Sequence, residues 1–253
     1  MGGSEAAAPV GSDGSGQPVG EQRAARLRSL SLLVLTMGSG ATDALAFLGL
    51  GGVFTANMTG NLVLVGLVGR TDYPGAAFRA VVACIGFGAA VRVSVMITRR
   101  FQIVRRTPET ALLGMSLGLQ AAFLVCWLLV AAEPSSSQTI SLVVLSSAAM
   151  GVQTAAVRSM TETFGITTTF VTGTMTSLMA DGFPWRAPGS ARRGAAVRLA
   201  PVLALPLGAL TGALVLEHAR LATACLAPAA VLTAVVLNRV ADRHATPPAV
   251  VTG

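Results

Sequence analysis

The sequence has little charge and no lysine. Only 11% of its 253 residues are charged, whereas a soluble domain of this size carries about 25%. All 18 basic residues are arginines. They lie between long apolar runs, which is typical of membrane loops, and do not form the basic patch of a nucleic-acid-binding surface. We therefore expect a membrane protein that has no nucleic-acid partner.

The residues that hold metals or perform histidine-based catalysis are also scarce. Cys84, Cys126 and Cys225 lie singly inside apolar runs, and His218 and His244 have no partner motif. The HExxH and phosphate-loop signatures are missing. We expect no enzymatic activity, no metal site and no cofactor.

Six apolar runs of about 20 residues are long enough to cross the roughly 30 Å hydrocarbon core of a bilayer as helices. The chain is therefore predicted to be an all-α polytopic membrane helix bundle with six full spans. The predicted spans are residues 29–50, 76–98, 110–132, 139–157, 195–216 and 221–240.

The two ends of the chain differ from this membrane domain, which is predicted at residues 28–240. Residues 1–27 and 241–253 are rich in Gly, Ala, Ser and Pro and contain few large apolar residues. Such segments cannot bury enough apolar surface to offset their ordering. Both are predicted to be disordered tails.

Two further apolar segments, Val53–Val68 and Thr167–Ala180, are short for a full span and carry Thr, Asn and Gly in their middle. We call them the TG segments. If both enter the membrane and return, every arginine except Arg70, Arg79 and Arg220 lies on one side of the membrane. Because cytoplasmic loops are enriched in arginine, we predict two short broken or re-entrant helices. Both termini are then cytoplasmic.

The TG segments also indicate an internal repeat. Thr59-Gly60-Asn61 aligns with Thr172-Gly173-Thr174, and Gly40-Ala41-Thr42-Asp43 aligns with Gly151-Val152-Gln153-Thr154. We predict one repeat over about residues 28–132 and a second over about 139–240. Three spans in each repeat would invert the second relative to the first, a design that recurs in secondary transporters.

The same residues resemble a known family. Gly40-Ala41-Thr42-Asp43-Ala44, followed by Val53-Phe54-Thr55-Ala56-Asn57-Met58-Thr59-Gly60-Asn61, is similar to the YoaK family of bacterial membrane proteins (domain of unknown function 1275). Thr169-Phe170-Val171-Thr172-Gly173-Thr174 looks like that family's second signature. The resemblance covers about residues 28–240 and implies a bacterial multi-pass membrane protein, which we expect in the plasma (inner) membrane. It carries no substrate or activity with it.

Asp43 is the sharpest candidate for a functional residue, because no other charge lies between Arg28 and Arg70. A carboxylate inside a span is unfavourable unless it is paired, protonated or faces a cavity. One interpretation is a site that couples transport to a proton or cation. The other is a hydrogen bond to the neighbouring TG segment.

Polar residues of the two TG segments are the next candidates. Asn57, Thr59 and Asn61 in the first, with Thr172 and Thr174 in the second, could form a solute or ion site. They could instead satisfy broken backbone, as Thr and Asn often do. Gly60 and Gly173 are expected to permit a turn or close packing.

Gln120 and Gln153 lie in the third and fourth predicted spans, which a short loop connects. They could face each other and hydrogen-bond between helices. The alternative is that they line a solute path.

Together these observations predict a permease for a small solute or ion, with a path between the two TG segments. The alternative is a non-transporting scaffold, partner subunit or sensor. A polar cavity joining Asp43, Asn57, Asn61 and Thr172 would favour the permease. The partners expected are the lipid bilayer and an unknown solute, and the mass of 25.6 kDa makes a homodimer plausible.

Overall fold

The computed structural model describes residues 19–100, 108–130, 134–164 and 189–245, and regular structure in these ranges is entirely helical. Six helical stretches are long and apolar enough to cross a membrane, which confirms the predicted all-α membrane bundle. The helices are α1 (Val19–Gly49), α2 (Met58–Gly66), α3 (Gly75–Arg100), α4 (Pro108–Leu129), α5 (Ser136–Phe164), α6 (Gly189–His218), a 3₁₀ helix (Arg220–Cys225) and α7 (Leu226–His244).

The two ends of the membrane domain are more ordered than predicted. Helix α1 begins at Val19, so the predicted disordered tail at 1–27 is wrong for residues 19–27. Helix α7 continues to His244, so the tail predicted at 241–253 is wrong for residues 241–244. The reason is mutual packing: Arg28 forms a 3.0 Å ion pair with Asp242, and Ala24 and Ala241 are buried.

The last predicted span is not one helix. Ala219 leaves helical geometry, and residues 220–225 form a 3₁₀ helix, whose first carbonyl accepts a 3.2 Å hydrogen bond from Trp127 Nε1. Pro228 lies in the first turn of α7, where proline is tolerated because the N–H it lacks would be unpaired there. This proline accounts for a new helix starting at Leu226.

Helix α5 starts three residues before the prediction because its first turn is capped. The backbone N–H of Ser135 donates to Gln138 Oε1 at 2.7 Å, which is half of a capping box. Thr139 Oγ1 also donates to the Ser135 carbonyl at 2.9 Å. A hydropathy pattern does not register these polar contacts.

The first TG segment is re-entrant. Helix α2 has nine residues and is therefore about 14 Å long, less than half of the roughly 30 Å hydrocarbon core. Arg70, after α2, donates to the carbonyl of Gly52, before it, at 3.3 Å, and Arg79 donates to the Gly51 carbonyl at 2.8 Å. The chain therefore returns to the end at which it left α1. The second TG segment lies outside the described residues.

The packing of the helices is reciprocal between the two predicted repeats. Helix α1 opens the first repeat and packs mainly against α6 and α7 of the second. Helix α5 opens the second repeat and packs mainly against α3 and α4 of the first. The two repeats therefore exchange their first helices. The described residues of each repeat contribute three candidate spans, which is the number from which an inverted second repeat was predicted.

Two glycines that the sequence aligns permit close helix contacts in this arrangement. A Cβ on Gly40 of α1 would lie 2.1 Å from the Leu205 carbonyl oxygen of α6. A Cβ on Gly151 of α5 would lie 2.5 Å from the Phe87 carbonyl oxygen of α3. Helices in membranes approach this closely only over small residues. The aligned glycines thus have equivalent roles in the two repeats.

Candidate functional site

Asp43 binds the backbone of the re-entrant segment. Its Oδ1 accepts hydrogen bonds from the backbone N–H of Thr55 at 2.8 Å and of Ala56 at 2.7 Å. These two residues are in the irregular stretch that leads into α2, where the donors have no helical partner. Backbone N–H groups at membrane depth must be satisfied within the protein. Asp43 satisfies two of them.

Asn61 completes this arrangement from α2. Its Nδ2 donates to the Phe54 carbonyl at 2.7 Å, and its Oδ1 accepts from the Phe54 backbone N–H at 2.9 Å. The side chain is fully buried. We call Asp43, Asn61 and the backbone of residues 54–56 the Asp43/Asn61 cluster. In this cluster, two side chains replace the hydrogen bonds that a continuous helix would have made.

The other predicted residues of α2 lie at its exposed face. Asn57 is the N-cap, and its Oδ1 accepts from the Gly60 backbone N–H at 3.1 Å; Thr59 is exposed. A Cβ on Gly60 would lie 2.8 Å from the Phe54 ring, so Gly60 lies close against Phe54. Thr172, Gly173 and Thr174 lie outside the described residues.

Gln120 and Gln153 face each other, as one interpretation of the sequence predicted. Gln120 Nε2 donates to Gln153 Oε1 at 3.2 Å. Gln153 Nε2 donates to the Leu35 carbonyl at 3.4 Å and to Ser39 Oγ at 3.3 Å. Both glutamines are buried. The pair links α1, α4 and α5 where the first helices of the two repeats meet.

A cavity of about 10 Å³ lies beside this pair; we call it the central cavity. Its polar lining is Thr42, Gln120, Ser146 and Thr223, and the remainder is apolar. Oε1 of Gln120 and Oγ1 of Thr223 are buried and have no hydrogen-bond partner. Ser146 Oγ donates to Thr55 Oγ1 at 3.0 Å and so connects the cavity to the backbone stretch that Asp43 binds.

This cavity is not the one predicted. Asp43, Asn57 and Asn61 do not line it, because the first two cap backbone groups of the re-entrant segment and Asn61 pairs with Phe54. Of the predicted site residues that the structure describes, only Gln120 lies on its wall. Sequence reasoning missed Thr42, Ser146 and Thr223, since a single hydroxyl in an apolar helix has no distinguishing pattern.

The described part of the chain contains no group of three or more His, Cys, Asp or Glu that could hold a metal ion. Its three cysteines are free thiols. The chemistry available around the central cavity is therefore that of neutral hydroxyl and amide groups.

Comparisons with known proteins agree with the resemblance. The family model described as a protein of unknown function, DUF1275, matches residues 31–238. The UPF0700 transmembrane protein YoaK of Bacillus subtilis (strain 168) is 32% identical over 158 residues, which cover 62% of this chain and 68% of that protein. No solved structure matches the chain. The family match covers most of the chain, including the Asp43/Asn61 cluster and the central cavity, and the protein therefore belongs to the DUF1275 family of membrane proteins.

Proposed function

We propose that this protein is a permease for a small solute. The observation that carries the proposal is the re-entrant helix α2, whose N-terminus is held inside the bundle by the Asp43/Asn61 cluster. A protein that only needs to reside in a membrane can be built from unbroken helices. Broken helices near the midplane of inverted repeats form substrate sites in secondary transporters.

The reciprocal packing of the repeats supports the same function. Each first helix contacts two helices of the other repeat, so a rotation of one repeat against the other would change the contacts of both. Alternating access in inverted-repeat transporters is largely such a rigid-body motion. The central cavity lies between α1, α4, α5, the 3₁₀ helix and the start of α7, which belong to both repeats, so such a rotation would change its shape.

Asp43 would have two separable roles in such a permease. Its oxygen holds the re-entrant backbone through two hydrogen bonds. Its charge would couple transport to a proton or cation, as the sequence suggested. Asparagine retains one oxygen acceptor and loses the charge. The substitution Asp43→Asn therefore separates the two roles.

A non-transporting scaffold is the second candidate. The observation in its favour is that the polar groups of Asn61 are both used to hold Phe54, so α2 has a structural role that needs no solute. The small volume of the central cavity, about 10 Å³, also fits a static bundle.

The test is solute flux through proteoliposomes containing the purified protein. We would measure entry of formamide, urea and glycerol by light scattering, and of sodium and potassium with fluorescent indicators, with and without a pH gradient. The wild type is expected to accelerate at least one probe. Asp43→Asn is expected to abolish the effect of the pH gradient, whereas Asp242→Asn, an acid-to-amide change in an exposed ion pair, should behave as wild type.

Two outcomes would contradict this proposal. If the folded, reconstituted wild type passes none of the probes, the scaffold becomes the better function. If Asp43→Asn keeps full flux that still responds to the pH gradient, Asp43 is not a coupling residue.

A further inference from the structure

The polar groups of the central cavity are not all used by the fold. Oε1 of Gln120 and Oγ1 of Thr223 have no hydrogen-bond partner, although the two residues are only 4% and 2% exposed. Leaving such buried groups unpaired is unfavourable, and native structures rarely do so without an ordered water, ion or ligand. Since both residues line the same cavity, one small molecule can satisfy both.

The orientation of the Gln153 amide decides what the cavity offers. Its Nε2 lies 3.4 Å from the Leu35 carbonyl oxygen. A carbonyl can only accept a hydrogen bond, so the group that faces it must be the donating NH₂. The Oε1 of Gln153 must then point towards Gln120.

The orientation of Gln120 follows from Gln153. Its Nε2 must donate to Gln153 Oε1, at 3.2 Å. Ser116 fixes the same orientation independently, because its hydroxyl hydrogen is directed to the Ala149 carbonyl at 3.0 Å and its oxygen therefore accepts from Gln120 Nε2 at 3.3 Å. Consequently the group that Gln120 presents to the cavity is Oε1, which only accepts.

Two of the remaining polar groups are acceptors as well. Thr42 donates its hydroxyl hydrogen to the Gly38 carbonyl at 2.8 Å. Ser146 donates its own to Thr55 Oγ1 at 3.0 Å. The oxygens of both hydroxyls therefore have only lone pairs left for the cavity, and Thr223 alone has a hydroxyl hydrogen to give.

The lining also sets the charge of the occupant. No ionised side chain is among the described residues that line the cavity. A buried ion without a counter-charge is strongly unfavourable, and an anion would meet a surface of acceptors. The wall therefore selects an uncharged molecule that donates hydrogen bonds.

We propose that the central cavity is a binding site for a small uncharged hydrogen-bond donor, of the class of water, ammonia and formamide. Gln120 Oε1 is its acceptor, and Gln153 and Ser116 are the positioning residues that keep this acceptor directed inward. The volume of about 10 Å³ is that of about one water molecule, so the lining must separate slightly to admit formamide. The claim that this cavity is the solute site of the permease rests on the proposed function. The claim that it binds a small hydrogen-bond donor does not.

The test compares formamide with acetone, two small planar carbonyl compounds of which only formamide has N–H donors. The readout is the thermal unfolding midpoint of purified protein in detergent, at millimolar concentrations of each probe. Formamide is expected to raise the midpoint, and acetone and sodium chloride are not. Thr223→Val should weaken the apparent affinity for formamide about fivefold, the effect of losing one neutral hydrogen bond of about 1 kcal/mol.

The matched control is Thr233→Val. Thr233 is exposed, and its hydroxyl bonds only to the Ala229 carbonyl of its own helix, so this variant should respond to formamide as the wild type does. Gln153→Leu is the second variant. It leaves the lining intact but removes one of the two acceptors of Gln120 Nε2, so that only Ser116 still orients the amide, and it should therefore reduce, without abolishing, the discrimination between formamide and acetone.

Three results would overturn the inference. The first is an equal rise of the unfolding midpoint with formamide and acetone, and the second is a full formamide response in both Thr223→Val and Gln153→Leu. The third is a rise with sodium chloride that Thr223→Val removes, which would indicate a cation site. Binding and flux separate the two proposals. Formamide binding that depends on Thr223, without flux of any probe, would defeat the permease and leave the site. Flux without preference for donors would defeat the site and leave the permease.

Discussion

Two polar regions lie inside this membrane bundle, and they differ in how completely their groups are paired. In the Asp43/Asn61 cluster, side-chain oxygens and the Asn61 amide are bound to the backbone of residues 54–56. In the central cavity, Gln120 and Thr223 each keep one atom without a partner. A fully paired group at depth maintains the fold, whereas an unpaired one is available to a ligand. The hydrogen bonds of the first region hold the re-entrant backbone, whereas the unpaired atoms of the second are the basis of the proposed binding site.

Loss of the Asp43 side chain should have the largest effect. Asp43→Ala leaves two buried N–H groups unpaired, at a cost of about 1–3 kcal/mol each, and should lower the free energy of unfolding by about 3 kcal/mol or more. Asp43→Asn retains an acceptor and should cost only about 1 kcal/mol. Unfolding in mixed detergent micelles measures both. Equal losses would mean that the charge, not the hydrogen bonds, holds the re-entrant segment.

A pair of glycines in α2 tests the packing of the same cluster. Gly60→Ala places a Cβ 2.8 Å from the Phe54 ring and should lower the free energy of unfolding by about 1–2 kcal/mol, as overpacking usually does. Gly66→Ala meets open space and should be neutral or stabilising by less than about 1 kcal/mol. The same unfolding assay applies. If the two variants are equally stable, Phe54 is not held against α2.

The smallest effect is expected beside the central cavity. Gln120→Leu, Gln153→Leu and the double variant form a cycle whose coupling should be about 1 kcal/mol. Gln153→Leu combined with Thr98→Val, which shares no partner with it, should be additive within about 0.5 kcal/mol. A coupling larger than the loss in Asp43→Ala would reverse the comparison, because the glutamine pair would then be the stronger structural element.

The six spans and the first re-entrant segment could be predicted because they depend on the lengths of apolar runs and on the positions of the arginines, both of which can be read directly from the sequence. The length of an apolar run decides whether it can cross the membrane as a helix. The positions of the arginines decide which set of crossings places most of them on the cytoplasmic side. The extra turns at Val19 and His244 could not be predicted. They exist because α1 and α7 pack side by side, as the ion pair between Arg28 and Asp242 shows, and these residues are more than 200 positions apart in the chain.

The candidate site was predictable only in part. Asp43 and Asn61 stood out because a charge and amides are rare in apolar runs, and the pairing of Gln120 with Gln153 followed from their connection by a short loop. The choice between solute site and backbone support required the positions of Thr55 and Phe54, which no periodicity gives. Thr223 was missed because its importance comes from a missing partner, which only a three-dimensional structure can reveal.

The exchange of first helices between repeats has a consequence for how the protein is made. Helix α1 leaves the ribosome first, but its main partners, α6 and α7, begin at Gly189 and Leu226. Protein synthesis proceeds at about 5–20 residues per second. Roughly ten seconds or more therefore pass between the synthesis of Gly40 and that of the α6 backbone against which it packs. During that interval α1 must be protected by lipid or by the insertion machinery, and a nascent chain stalled after α4 would present its glycine face to any neighbouring helix. Assembly of this bundle therefore ends, and does not begin, with the helix that is synthesised first.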